Sequence, residues 1–278
     1  MATRHLPLAG GHPQEFGGTL RTDAWWVAPA ITLLVFTGFL VYGTWAAFQG
    51  NHYYHAPYLS PFYEPLLWVN SNVPGAAPVD HAWFGEWPSW WPAFFLMPAS
   101  PAILILPFPG LFRFTCYYYR KAYYRAYAGS PPACAVGPAA QTREYRGETA
   151  LLIFQNLHRY ALYIALIFNI FLFKGAFEAF FKDGQFGVGV GGIVMLVNAS
   201  LLASYSFGCH SFRHLIGGRE DCMSCGQATL QYGAWQKATW FNARHAKFAW
   251  ASLFSVALTD VYIRLVSMGV IHDLNTWS

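Results

Sequence analysis

Long stretches without a charged side chain alternate with short connectors in which the charges are concentrated. No Asp, Glu, Lys or Arg lies between Asp23 and Glu64, or between Asp183 and Arg213. A helix needs about 20 apolar residues, at about 1.5 Å each, to cross roughly 30 Å of hydrocarbon. On that measure the pattern predicts five transmembrane helices, at about 24–48, 92–112, 149–173, 186–212 and 248–271, with a loop over 51–91. The expected architecture is an all-α integral membrane bundle, one anchor domain over residues 1–278. Pro98, Pro101, Pro107 and Pro109 predict a kink in the second span, tolerable where neighbouring helices satisfy the freed carbonyls.

The basic residues orient the bundle. Arg4 and Arg21 precede the first span, and Arg113, Arg120, Lys121, Arg125, Arg143 and Arg146 lie between the second and third. Arg213, Arg219, Lys237, Arg244 and Lys247 lie between the fourth and fifth, whereas residues 51–91 contain no Lys or Arg. The positive-inside rule then sets the N-terminus in the cytoplasm and the C-terminus outside. Trp25, Trp26, Trp90 and Trp91 mark interfaces, as does the Tyr/Arg mixture from Tyr117 to Tyr127.

Composition supports the membrane reading. Of 278 residues 55% are hydrophobic, 19% aromatic and 11% charged, against about 25% charged in soluble domains. The polar, Gly-rich stretch before Asp23 and the length of the first apolar run argue against a cleavable leader. A multi-pass protein of the cell inner (plasma) membrane is expected. The net charge of +4 resides in connector clusters, so lipid rather than nucleic acid is the expected contact. The five cysteines form no evenly spread disulfide framework: Cys209, Cys222 and Cys225 crowd beside histidines, which favours metal ligation.

The richest stretch is Gly208-Cys209-His210-Ser211-Phe212-Arg213-His214-Leu215-Ile216-Gly217-Gly218, followed by Asp221-Cys222-Met223-Ser224-Cys225. His210 and His214 are i and i+4, which stacks them on one helix face. Gly217-Gly218 is expected to end that helix through positive φ. Cys222 and Cys225 form a C-x-x-C, the spacing that lets two thiolates chelate one zinc or iron. Four metal-binding side chains are thus expected to converge, with Cys209 as the alternate thiolate. Ligand chemistry alone leaves zinc and iron–sulfur equally open. The usual Rieske boxes, C-x-H and C-x-x-H, are absent.

This stretch, together with Arg113-Phe114-Thr115-Cys116-Tyr117-Tyr118-Tyr119-Arg120-Lys121 and the five-span layout, resembles the membrane-anchor (C) subunit of actinobacterial-type succinate dehydrogenase, a respiratory complex II. The resemblance covers most of the chain. It implies a membrane-embedded Rieske-type [2Fe–2S] cluster, with His210 and His214 on one iron and Cys222 and Cys225 on the other. It also implies a quinone as substrate, menaquinone being the expected one, a flavoprotein partner with FAD and a separate iron–sulfur partner. Succinate oxidation would belong to those partners, and this chain would pass electrons from the iron–sulfur subunit to quinone.

Polar groups inside spans are functional candidates. His158, Arg159, Trp235 and Trp240 could offer a quinone headgroup hydrogen-bond donors and flat apolar walls. His158 with His245 could instead ligate haem b, leaving a structural zinc at the Cys/His stretch. A non-redox membrane scaffold or transporter with structural zinc is the remaining alternative. Asp260 and Arg264, at i and i+4, predict an intrahelical ion pair.

Overall fold

A computed structural model describes residues 15–91, 98–139, 149–218, 221–222 and 229–277. Their helices are α1 (Val27–Gln49), α2 (Pro101–Ile105), α3 (Pro107–Thr115), α4 (Tyr117–Ala126), α5 (Thr149–Glu178), α6 (Val190–Phe207), α7 (His210–Gly217), α8 (Thr229–Ala243) and α9 (His245–Ser267). Two antiparallel hairpins of two-residue strands accompany them, β1 (Tyr54–His55) with β2 (Tyr58–Leu59), and β3 (Phe181–Lys182) with β4 (Gln185–Phe186).

Four helical segments are long and apolar enough to cross a membrane: α1, the Asn156–Glu178 part of α5, α6 and α9. A fifth apolar stretch, Pro101–Thr115, is shorter. It falls where the second span is predicted, whose start at 92–97 lies outside the described residues. The helix is interrupted at Leu106, because Pro107 has no amide hydrogen to donate. The fourth predicted span is trimmed at both ends. The β3–β4 hairpin precedes it, and α6 stops at Phe207 before Gly208 and the extended Cys209. His210 and His214 therefore sit on the separate short helix α7, not in the last turns of a span.

The chain divides into two compact units, Met1–Gly38 with Phe114–Gln155, and Phe39–Arg113 with Asn156–Ser278. In the first, Gly17 N donates to Gly137 O and Gly137 N donates to Gly18 O, pinning the segment before α1. Arg21 donates to Cys134 O at 2.9 Å and to Asp23 Oδ1 at 2.7 Å. Buried Phe36 meets the rings of Tyr119, Tyr123 and Tyr127 at 5.7, 5.2 and 6.4 Å.

In the second unit α6 and α9 pack along their lengths through small buried residues. Gly191, Gly192, Ala199 and Ala203 face inward on one, and Ala249, Ser252 and Thr259 on the other. Small side chains let helix backbones approach where lipid supplies no hydrophobic drive between helices. The 51–91 segment is ordered over one end of these helices by a core of Ala46, Tyr53, Phe62, Tyr63, Leu66 and Val69, in which Tyr53 and Tyr63 stack at 4.2 Å. The predicted Asp260–Arg264 pair is formed at 2.7 Å with both side chains buried. Tyr42 donates to Asp260 at 2.5 Å and Ser60 donates to its other oxygen. Arg264 donates to Asn51 O and Ala46 O at 2.9 and 3.1 Å. A buried charge pair is tolerated only when its remaining donors and acceptors are satisfied in this way. Past α9, Asp273 accepts hydrogen bonds from Tyr58, Tyr262 and Gly191 N, tying the tail to the start of α6.

Candidate functional site

The described residues of the Gly208–Cys222 stretch do not share one environment. His210 and His214 are exposed on α7. His214 Nδ1 lies 3.2 Å from a guanidinium nitrogen of Arg159 on α5. Cys222 is exposed, and its sulfur is joined in a disulfide. Cys225 lies outside the described residues. Among the described residues no three His, Cys, Asp or Glu side chains gather tightly enough to hold a single ion.

The turn after α7 differs from its expected form. Gly218 has φ −74°, not positive φ. A Cβ there would come within 2.5 Å of the His214 ring, so glycine is required for close approach of the imidazole.

A buried group forms where α5, α6 and α9 meet. Cys209, 1% exposed, has its sulfur 2.9 Å from His158 Nε2. The His158 ring stacks on Phe112 of α3, with centroids 4.8 Å apart and planes 4° apart. Phe112 meets Tyr205 of α6 edge-on at 5.3 Å, and Tyr205 stacks on His245 at 4.9 Å and 10°. The Asn242 amide donates to Gly208 O at 2.8 Å. A Cβ at Gly208 would stand 3.0 Å from His245 Nδ1, so the absent side chain brings α9's first residue against the α6–α7 junction. The local sequence makes this possible: the helix breaks at Gly208, and the extended Cys209 turns its sulfur toward the bundle.

One cation attends the group. The Arg113 guanidinium lies 4.7 Å above the Tyr205 ring and donates to Ser252 Oγ at 2.8 Å and Ala249 O at 3.2 Å. A positive charge held over the Tyr205 ring, which itself stacks on His245, favours a bound group of negative charge nearby.

The residues expected around a quinone are placed differently from one another. His158 belongs to the buried group, whereas its neighbour Arg159 reaches His214 at the exposed edge. Trp235 of α8 lies under Arg213 at 4.5 Å and stacks on Tyr232 at 6.2 Å. Trp240, 49% exposed, lies under Arg244 at 4.1 Å. Sequence reasoning weighed His245 only as a haem ligand and did not join it to Cys209. The available signal was a His or Cys in or beside three separate spans, and only the fold reveals that they come together.

The chain was compared with known proteins. A family described as actinobacterial succinate dehydrogenase subunit SdhC matches residues 27–269. A chain of the Mycobacterium smegmatis Sdh1 complex in the apo form is 38% identical, with a TM-score of 0.82, the match covering 98% of each chain. No sequence among curated proteins matches.

Proposed function

The chain belongs to the actinobacterial succinate dehydrogenase SdhC family, and from that premise we propose that it passes electrons from a soluble iron–sulfur partner to a membrane quinone through a Rieske-type [2Fe–2S] cluster. As the anchor of a succinate dehydrogenase it is a multi-pass membrane subunit of an enzyme complex. Succinate oxidation falls to a flavoprotein partner carrying FAD. We read Pro101–Thr115 as part of a fifth span, with the N-terminus cytoplasmic and the C-terminus outside.

The observation that carries the redox reading is the contact of His158 with buried Cys209, beside which His245 packs against Gly208. Two imidazoles and a thiol are three of the four ligands a Rieske-type centre takes, and a two-iron group distributes its ligands over two metal atoms. The donors therefore fit. His158 and His245 would hold one iron and Cys209 would bind the other, together with a second thiolate. When bound, such a centre supplies a one-electron relay at higher potential than an all-thiolate cluster. The chain's own part is to fix ring orientation by stacking on Phe112 and Tyr205, to keep water out, and to hold the Arg113 charge nearby. This assignment takes the place of the set His210, His214, Cys222 and Cys225, of which His210, His214 and Cys222 are exposed. Arg159 and Trp235 remain the donors and ring best suited to a quinone headgroup near His214 and Arg213.

The test uses the whole complex. His158→Ala with His245→Ala should remove the Rieske-type EPR signal and quinone reduction, leaving dye-linked succinate oxidation intact. His210→Ala with His214→Ala should keep all three. The reverse outcome returns the site to the exposed stretch. Serine replacements at Cys222 and Cys225, one at a time, identify the second thiolate by loss of iron and sulfide. Paired imidazoles on separate spans also suit a haem b, and a Soret band that His158→Ala abolishes, without acid-labile sulfide, would establish that reading instead.

A further inference from the structure

Away from the His/Cys group, a cavity of about 600 Å³ opens at the end of the bundle that carries the 51–91 segment. Its walls come from that segment, the last turns of α5 and the β3–β4 hairpin. The size lies within the roughly 300–1,000 Å³ typical of small-molecule sites.

Its most unusual wall is Glu64. The residue is 6% exposed, and its Oε2 has no hydrogen-bond partner among the described residues. The carboxyl lies flat against Gly175 of α5, where any Cβ would overlap both of its oxygens. Burial without a counter-charge pushes the Glu64 pKa up to about 8, opposed by Lys174 and reinforced by Glu178. Lys174 does not neutralise it, because its ammonium is already held by Glu178 at 2.6 Å on the exposed face. Asp80 and Asp183 line the same space, with Lys182 and His81. Once ionised, Glu64 would join three other carboxyl groups against two lysines, leaving the cavity short of positive charge. A buried carboxylate gains most from a cation that also donates hydrogen bonds.

The remaining walls point to a lipid as the bearer of that cation. Trp83 and Phe171 meet edge-to-face at 5.0 Å and form an apolar side. Beside it Ile170, Phe177 and Phe181 are 67%, 59% and 53% exposed, at the end of a segment apolar enough to cross a membrane. That combination of exposed apolar side chains, a buried acid and a lysine lining one cavity matches a zwitterionic headgroup lying at the membrane interface.

We propose that this cavity binds the headgroup of a phosphatidylethanolamine, its ammonium on Glu64 and its phosphate toward Lys182. The site is independent of the redox group and of any assignment of its ligands.

The test is native mass spectrometry of the purified complex after exchange into mixed phosphatidylethanolamine, phosphatidylcholine and phosphatidylglycerol nanodiscs. One phosphatidylethanolamine should be retained per chain, preferred by about tenfold or more over phosphatidylcholine, whose quaternary nitrogen has no hydrogen to donate. Glu64→Gln, which keeps the shape and removes the charge, should abolish the preference. Infrared titration supplies a readout in the unmutated protein: the Glu64 carboxylate band should persist to lower pH in phosphatidylethanolamine than in phosphatidylcholine. Equal retention of all three lipids, a preference unchanged in Glu64→Gln, or identical titration in both lipids would each overturn the proposal. Displacement of the retained lipid by millimolar ethanolamine would also overturn it, in favour of a soluble amine.

Discussion

At the scale of single residues, the structure contrasts two ways of burying polar groups between helices. Asp260 and Arg264 satisfy each other and draw in Tyr42, Ser60, Asn51 and Ala46, so nearly every donor and acceptor is used. Removing one member leaves an uncompensated buried charge. Asp260→Ala and Arg264→Leu should each cost about 3–5 kcal/mol, whereas the double replacement Asp260→Asn with Arg264→Met should cost less than the sum. Melting in detergent followed by tryptophan fluorescence measures both. The ion pair was legible because its partners are four residues apart on one helix. The His158–Cys209–His245 group was not, since nothing in the local spacing says that ends of three helices coincide. The motif that stands out by eye, with paired histidines and C-x-x-C, lies on α7 and the loop beyond it, where His210, His214 and Cys222 are exposed.

At the scale of elements, hydropathy located α1, α5, α6 and α9 to within a few residues, because crossing a membrane is a demand on length and polarity alone. It could not place the interruption at Gly208 and Cys209, where one helix gives way to another without a charge to mark the junction. Nor could it foresee that Gly175 is required in α5 by a residue more than a hundred positions earlier. Gly175→Ala, a replacement that favours helix by propensity, should nonetheless lower stability by about 1–3 kcal/mol through overlap with the Glu64 carboxyl. Combining it with Glu64→Ala should restore much of the loss. A thermal melt of the three variants decides the point.

At the scale of the whole molecule, the 51–91 segment buries a carboxyl whose ionisation opposes folding. Glu64 has its pKa raised on folding from the usual 4.5 to about 8. Folding favours the neutral acid, so this contribution is fully present below about pH 4.5 and is lost as pH rises through about 8. In lipid-free detergent the melting temperature should therefore fall between about pH 5 and pH 9, and Glu64→Gln should flatten that slope. Phosphatidylethanolamine should also flatten it, by giving the ionised carboxylate a partner.

The same molecular scale gives α1 its meaning. Only 6% of its membrane-length window is buried, and Ile31, Leu34 and Val41 are 56%, 71% and 65% exposed. Where such a surface meets hydrocarbon, it is held to oiliness and length, not to the identity of its side chains. Across generations such a helix can exchange Leu, Ile, Val and Phe almost at will, while a single Asp or Lys at its middle would be purged.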